Sequence, residues 1–383
     1  MINKNKLKGE PEGRKSRPGI GGLVASALWI WGRSGPRRML FFLRIAWRLW
    51  RAKRRHRRRQ CDINGQIPTV VAISLTMRCN YSCQGCYSRG RPTENELTTG
   101  ELDNLFTEAE ELGVPVIVVT GGEPLLRSDL LELTARHRRL LFVIISNGFL
   151  VTPEIARCIT QSSNLIPLIS IEGFNSYTDG RRRAGAHDSA VNAMKCLHEA
   201  GACFGFAAMN TAVNTSHLGT DAFLDSMIRL GCSVGFFTEY IPCGLNPRLD
   251  WVLDEAERAA FRSQVLHLQN SKPIVLVQFP QDEYGEHNHC SAAGQASLHI
   301  NSQGGVEPCP FVPVACENIR RGGLMAACQS PFLQAIRQRP DLLKRQRLAC
   351  SLFEHLPEVE ALALKFKQEP EKATKGVPKP ERL

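Results

Sequence analysis

Between residues 69 and 271, short apolar runs alternate with amphipathic stretches at a regular pitch. The runs at 70–75, 116–120, 140–145, 165–171, 203–210 and 233–240 read as buried strands. The stretches between them, at 101–112, 128–137, 153–162, 189–201 and 218–230, carry apolar residues at helical spacing. Six apolar strands separated by helices predict an α/β fold, a parallel sheet with helices outside that closes as a full or partial barrel. Ligands in such folds lie at the carboxyl ends of the strands. Farther on, residues 299–301 and 306–309 flank Gly304-Gly305 and read as a hairpin.

The N-terminal pattern is different. Residues 18–32 are apolar but shorter than the ~20 residues a spanning helix needs. From Met39 onward, Arg44, Arg48, Arg51, Arg55 and Arg58 recur at spacings of 4, 3, 4 and 3, which places them on one helical face. Phe42, Leu43, Ala46, Trp47, Leu49 and Trp50 cover much of the remainder. A cationic stripe beside Trp and Phe predicts a helix lying in the plane of an anionic membrane surface. The alternatives are a helix that packs its aromatics onto the body of the protein and leaves Arg in water, and a nucleic-acid contact. No small-residue cleavage site follows the apolar stretch, which argues against a signal peptide. The tail from about Lys367 is rich in Pro, Lys and Glu and is expected to be disordered.

A chain of 383 residues suggests two or three units. Apolar content of 43% and charged content of 22% are those of a soluble globular core. The net charge of +11 is local: from Gly13 to Cys61 there is no Asp or Glu but 15 of the 48 Lys and Arg, so 33 basic residues elsewhere face 37 acidic ones. No specific nucleic-acid partner is therefore expected of the body. The chain divides into a basic amphipathic segment (1–66), the barrel (67–280), a small C-terminal unit (281–366) and the tail (367–383).

The chemistry is concentrated in Cys79-x3-Cys83-x2-Cys86, within Met-Arg-Cys-Asn-Tyr-Ser-Cys-Gln-Gly-Cys-Tyr-Ser. Three thiolates within eight residues can hold three irons of a [4Fe–4S] cluster and leave the fourth iron open. A structural zinc site would want four closed ligands, usually from paired Cys-x2-Cys units. A disulfide scaffold is disfavoured, because 14 cysteines in 383 residues are too few and the chain is too long to need staples. Gly121-Gly122-Glu123-Pro124 follows 35 residues after Cys86, at a strand end, where glycines let backbone approach a ligand closely.

Together these motifs resemble the radical S-adenosylmethionine (radical SAM) superfamily. The resemblance implies a partial (β/α)6 barrel whose Cys79, Cys83 and Cys86 carry the catalytic cluster, with SAM chelated at the open iron. It implies that the strand end at Gly121, Gly122, Glu123 and Pro124 meets the SAM amino group. Ser146-Asn147 resembles the position contacting ribose and carboxylate, although a plain Asn-Gly turn would read the same. Ser170, in Ser-Ile-Glu172-Gly, and Arg182, in Thr-Asp-Gly-Arg-Arg-Arg-Ala-Gly, resemble carboxylate contacts, with Arg183 close to the same alignment. Relatives often carry an aromatic just before the third cysteine, beside adenine; here that position is Gly85, and Tyr87 follows the cysteine instead.

Cys290-x13-Gly304-x4-Cys309 resembles the opening of the auxiliary-cluster domains called SPASM or twitch, and Cys350 resembles the later cysteine that closes such a cluster. The Cys-x2-Cys-x5-Cys-x3-Cys core of a full SPASM domain is missing, so a single second [4Fe–4S] cluster of the twitch type is expected. Cys316 is the candidate fourth ligand, unless that position is open to substrate. Buried structural cysteine is the alternative for all of these. Cys328, Cys158, Cys196, Cys203 and Cys232 read as packing residues.

The implied activity is that of a radical SAM enzyme, an oxidoreductase or a C–C or C–S bond-forming enzyme. The reduced cluster cleaves SAM to methionine and a 5′-deoxyadenosyl radical, which abstracts hydrogen from a substrate; the protein supplies orientation and water exclusion. Three substrate classes are open: a membrane-associated or lipid-like molecule, suggested by the basic helix, a ribosomal peptide, or a tetrapyrrole or other cofactor precursor. A non-catalytic iron–sulfur electron carrier is a reading of another class, disfavoured because electron transfer needs none of the SAM-contacting motifs. The expected partners are a cytosolic electron donor of flavodoxin or ferredoxin type, the substrate, and an anionic membrane surface. The expected location is the cytoplasm, peripheral on the inner face of the membrane.

Overall fold

The computed structural model describes residues 36–63, 65–284 and 288–367. The apolar stretch 18–32 and the tail beyond residue 367 lie outside them. Seven parallel strands follow chain order across one sheet: β1 (Val70–Thr76), β2 (Val116–Gly121), β3 (Leu141–Ser146), β4 (Leu165–Ser170), β5 (Gly205–Asn210), β6 (Val234–Glu239) and β7 (Val275–Phe279). The sheet continues past β1 through β8 (Ser297–Ile300), which runs parallel to β1, and then antiparallel through β9 (Gly305–Glu307) and β10 (Glu317–Asn318). It is not closed, so the partial barrel keeps an open side.

The six expected strands are all present. β7 is a seventh strand beyond the six, its five residues set between Pro273 and Pro280, which punctuate the pattern as a loop would. The C-terminal hairpin extends the barrel's own sheet, with β8 in register against β1 from Val70↔Ser297 to Ile73↔Ile300. The expected helix at 218–230 is divided at Gly219: a short turn, Thr215–Leu218, precedes helix Asp221–Arg229, whose first turn is capped by the Thr220 hydroxyl accepting from Phe223 N.

Helix ends are set by local chemistry. Thr98 and Glu101 form a reciprocal capping box at the start of helix Thr99–Leu112, and Asp254 and Glu257 form another before Glu255–Ser271. Gly113, at φ 79°, ends the first of these in the left-handed conformation and turns the chain into β2.

Helix Pro36–Asp62 lies across the amino ends of the strands. Its Phe41, Ile45 and Leu49 join an apolar cluster that begins at the first residues of three strands, Val116, Leu141 and Val234, and reaches Ile145 and Leu168 farther along theirs. The Arg48 guanidinium donates to Ser163 Oγ at 2.7 Å, in the loop before β4, and a side chain at Gly113 would meet His56 N at 2.5 Å. The expected stripe of five arginines is therefore divided. Arg48 and Arg55 are drawn partly into the body, while Arg44, Arg51 and Arg58 remain exposed.

Candidate functional site

The cysteine loop leaves the carboxyl end of β1 and is tied down on three sides. Gln84 N donates to Arg181 O at 2.9 Å, joining it to helix Asn175–Arg181. Glu123 N donates to Arg78 O at 2.9 Å and Gly122 N to Thr76 O at 2.7 Å, joining it to the end of β2. The approach is close enough to demand glycine: a Cβ on Gly122 would lie 2.1 Å from Arg78 O. Tyr87 completes the clamp, its hydroxyl 2.8 Å from Thr120 Oγ1 and accepting from Gly121 N at 3.1 Å. The Gly121, Gly122 and Glu123 N–H groups are thus committed within the protein, so what this turn can offer a bound ammonium is carbonyl oxygen.

Cys83 is buried, Cys86 half-buried and Cys79 exposed. Although Cys79 is exposed as a residue, partial desolvation of its sulfur raises the thiol above its ordinary pKa against the Tyr81 N–H it accepts from, and Glu123, Cys83 and Cys86 lie close enough to push it further. Among the described residues, no three His, Cys, Asp or Glu side chains converge closely enough to share one metal ion. A cubane cluster asks for a wider arrangement, one sulfur per iron, and a loop carrying three neighbouring thiols fits that demand.

The remaining candidates form a shell behind the loop. Glu123 is buried and accepts from Ser146 Oγ (2.8 Å), Asn147 N (2.7 Å) and Leu125 N (3.1 Å). Burial raises its pKa, and these hydrogen bonds offset that only in part. Pro124 opens a short 3-10 turn that Glu123 caps. Asn147 Nδ2 donates to Asn80 Oδ1 at 2.7 Å, which ties the end of β3 to the cysteine loop. Ser170 is buried at the end of β4.

Arg182 does not extend freely toward a ligand. Its Nε and Nη2 donate to Glu172 Oε1 at 2.9 and 2.6 Å, and Arg181 Nη1 reaches the same oxygen at 2.5 Å. Burial alone would lower the Arg182 pKa, but Glu172 and the neighbouring Cys83 and Cys86 raise it, so it is a fixed cation beside the cysteine loop. Arg183 instead lies over the rings of Tyr81 and Phe149, 4.3 and 4.9 Å from their centroids.

Several buried polar atoms around this loop lack a hydrogen-bond partner: Asn80 Nδ2, Tyr81 hydroxyl, Arg181 Nε, and Asn210 Oδ1 at the end of β5. Each such atom costs about 1–3 kcal/mol unless something satisfies it. A molecule bearing both a carboxylate and donor groups would do so, and the arrangement therefore fits SAM.

At Gly85, φ is +59°, and a Cβ would meet Tyr240 Cε2 at 2.9 Å and Trp251 Cζ3 at 3.2 Å. The space beside Gly85 is filled by Tyr240 and Trp251 from the segment after β6. A Gly85→Phe variant, which restores the aromatic common in relatives, is expected to lose about 1–3 kcal/mol of stability through overpacking rather than to tighten SAM binding. Thermal unfolding and SAM titration check this; tighter binding with unchanged stability would contradict it.

A second set of cysteines gathers beside the first. The Cys309 and Cys350 thiols are interacting neighbours, which raises Cys309 and lowers Cys350, and Cys290 lies within electrostatic reach of Cys309 and Cys350. Cys316 stands apart: its sulfur contacts Ala363 O at 3.6 Å, and Glu317 and Lys367 are its charged neighbours. Cys243 was not singled out from the sequence. It is buried just past β6, within electrostatic reach of both Cys350 and Cys86, and a Cβ on the adjoining Gly244 would lie 2.6 Å from Cys86 O. A lone cysteine in Ile-Pro-Cys-Gly carries no ligand spacing, so no local signal could have found it.

The two sets are linked. The Tyr87 and Phe311 rings stand 5.4 Å apart, one residue past Cys86 and two past Cys309. Arg91 pairs with Glu307 at 3.0 Å and donates to Pro310 O at 2.6 Å; Glu307 meets His299 Nδ1 at 2.7 Å, and His299 Nε2 lies 2.8 Å from Ser74 Oγ.

Residues 73–213 match the model of the radical SAM superfamily. The chain is 32% identical over 282 residues to an AdoMet-dependent heme synthase of Oleidesulfovibrio alaskensis, covering 66% of this chain and 72% of that protein. It is 29% identical over 267 residues to the mycofactocin maturase MftC of Mycolicibacterium smegmatis, covering 64% of each. The fold is similar to Streptococcus suis SuiB bound to S-adenosylmethionine, with a TM-score of 0.62 at 18% identity over 71% of this chain and 68% of that one.

Proposed function

The chain belongs to the radical SAM superfamily, and from that premise we propose that it oxidises a peptide or tetrapyrrole substrate held between two iron–sulfur clusters. The enzyme uses a [4Fe–4S] cluster and SAM, which together supply a 5′-deoxyadenosyl radical for hydrogen abstraction. Cys79, Cys83 and Cys86 hold that cluster, with Arg182 as the fixed cation beside it. The Gly121–Gly122 carbonyls receive the SAM ammonium, and Asn80 Nδ2 and Arg181 Nε are donors for its carboxylate. Ser146, Asn147 and Glu123 keep the end of β3 locked to the loop, and Ser170 borders the same space.

The observation that carries the proposal is the proximity of two separate cysteine sets, joined by the Tyr87–Phe311 contact and by Cys243, which lies within electrostatic reach of both Cys86 and Cys350. Cys290, Cys309 and Cys350 bind the second cluster, and Cys243 is better placed than Cys316 to be its fourth ligand. Four protein ligands leave no open iron for substrate, which suits an electron-accepting role.

The substrate classes follow from relatives named as a heme synthase and a maturase, and from SuiB, whose structure is also known bound to its precursor peptide SuiA. A lipid-like substrate is less favoured, because the basic helix lies at the opposite end of the strands from the cysteines. We include in the proposal an electron donor of flavodoxin or ferredoxin type and peripheral attachment to an anionic membrane surface. No described helix is long and apolar enough to cross a membrane.

Replacing Cys290, Cys309 and Cys350 together by Ala is expected to remove about half of roughly eight reconstituted irons while uncoupled 5′-deoxyadenosine formation continues. Cys243→Ala is expected to alter the Mössbauer and electron paramagnetic resonance spectra of the second cluster, and Cys316→Ala to leave them unchanged. Full iron content in the triple variant would return these residues to a packing role.

A further inference from the structure

We propose that helix Pro36–Asp62 is a membrane-docking floor that seats the barrel on an anionic bilayer with its cysteine-bearing mouth turned away from the lipid. This rests on the peripheral attachment proposed above and adds its contact face and orientation.

The helix has two faces of different character. Phe41, Ile45, Leu49 and Ala52, at helical spacing, are spent on the barrel. The opposite face exposes Leu40 (48%), Leu43 (58%), Trp47 (55%) and Trp50 (47%). Two leucines and two tryptophans left exposed in one patch are not what a helix packed for stability alone would choose. Arg44, Lys53, Arg57, Arg58 and Arg59 are exposed around them. Arg51 and Arg54 lie over the Trp47 and Trp50 rings, 4.6 and 4.8 Å from the centroids, so cation and aromatic form one surface.

That combination selects one occupant. A second copy of this face would bring like charges together, since no acidic residue occurs from Gly13 to Cys61. A nucleic acid would use the arginines but not the exposed leucines. An anionic bilayer uses both, the arginines at the headgroups and Leu and Trp at the acyl boundary.

Orientation follows from where the helix is fastened. It is fastened to Ser163 before β4 and Gly113 before β2, and the apolar cluster it joins begins at Val116, Leu141 and Val234, each the first residue of its strand, and reaches Ile145 and Leu168 farther along theirs. Cys79, Cys83 and Cys86 lie past the other end of β1, and a strand of six residues spans about 20 Å. Substrate therefore reaches the cysteine loop from the aqueous side.

The test uses the full chain with reconstituted clusters, because truncation would bare the apolar floor at Leu141 and Ile166. The probes are phosphatidylcholine vesicles with and without phosphatidylglycerol, at low and high salt. The wild type is expected to float with the anionic vesicles and to weaken, but not detach, at high salt. Leu43→Glu, Trp47→Glu and Trp50→Glu combined are expected to reduce the bound fraction roughly tenfold with iron content and SAM cleavage unchanged. On vesicles, hydrogen exchange is expected to slow in residues 40–58 and to stay at its free-solution rate in residues 79–91. Flotation unaffected by the triple variant, absence of flotation at low salt, a dimer dispersed by the variant, or slowed exchange at 79–91 would each overturn the proposal. Continued SAM cleavage keeps such a failure separate from failure of the enzymatic reading.

Discussion

Replacing Cys79, Cys83 and Cys86 together by Ala is expected to abolish 5′-deoxyadenosine formation and to remove about half of the reconstituted iron. Each sulfur serves a different iron, so a single substitution leaves two attachments, whereas the triple variant leaves none. Losses in a group that acts as a unit do not add, and single variants are therefore expected to approach the triple one in activity while retaining more iron. Gly121, Gly122 and Tyr87 position the loop through backbone and hydroxyl contacts that do not involve the thiols, so the variant is expected to fold. Iron analysis and chromatographic detection of 5′-deoxyadenosine under dithionite decide it. Deoxyadenosine from the triple variant would refute the cluster assignment.

Glu172→Ala is expected to cost about 3–5 kcal/mol, the largest stability loss among the polar residues considered. This fully buried carboxylate pairs with Arg181 and Arg182, accepts from Met209 N at 2.7 Å, and sits between the ends of β4 and β5. Its removal leaves two buried guanidinium groups without a counter-charge, one of them beside Cys83 and Cys86. Burial would raise the Glu172 pKa, but the Arg181 and Arg182 charges outweigh it and hold the carboxyl below its ordinary 4.5. A folded pKa below the unfolded one means the contribution is complete above the unfolded value and is lost as pH falls through the folded value. Glu172→Gln, which cannot ionise, is expected to be destabilised near neutrality and to lose less on acidification than the wild type. Urea unfolding of the apo protein across pH measures both effects, and a loss under 1 kcal/mol in Glu172→Ala would show that solvent reaches the pair.

The residues that sequence reading placed correctly share a local cause. The six expected strands are continuous apolar runs bounded by turn residues, and burial on both sheet faces leaves that composition little freedom; β4 is buried at every position. The cysteine run and Gly-Gly-Glu-Pro are legible because thiol spacing and glycine-only approach are properties of a few consecutive residues, as the 2.1 Å space at Gly122 illustrates.

Where the reading ran out, the partner lay outside the local motif. The partner that fixes Arg182, Glu172 at the end of β4, lies ten residues away with no motif to announce the pairing. Gly85 looked like a missing aromatic until Tyr240 and Trp251, more than 150 residues later, filled its side-chain space.

The sequence by itself determined the alternation of strands and helices, the family, the spacing of the first cysteine set and the cationic character of the N-terminal helix, since each is written in spacing or composition. Only the tertiary structure decided that Cys243 rather than Cys316 stands near Cys350, that the C-terminal hairpin extends the barrel's sheet, and that the basic helix turns Phe41, Ile45 and Leu49 inward and Leu43, Trp47 and Trp50 out. Those outcomes depend on which surfaces meet across the sheet, and burial against a partner is a property of the pair that neither segment carries alone.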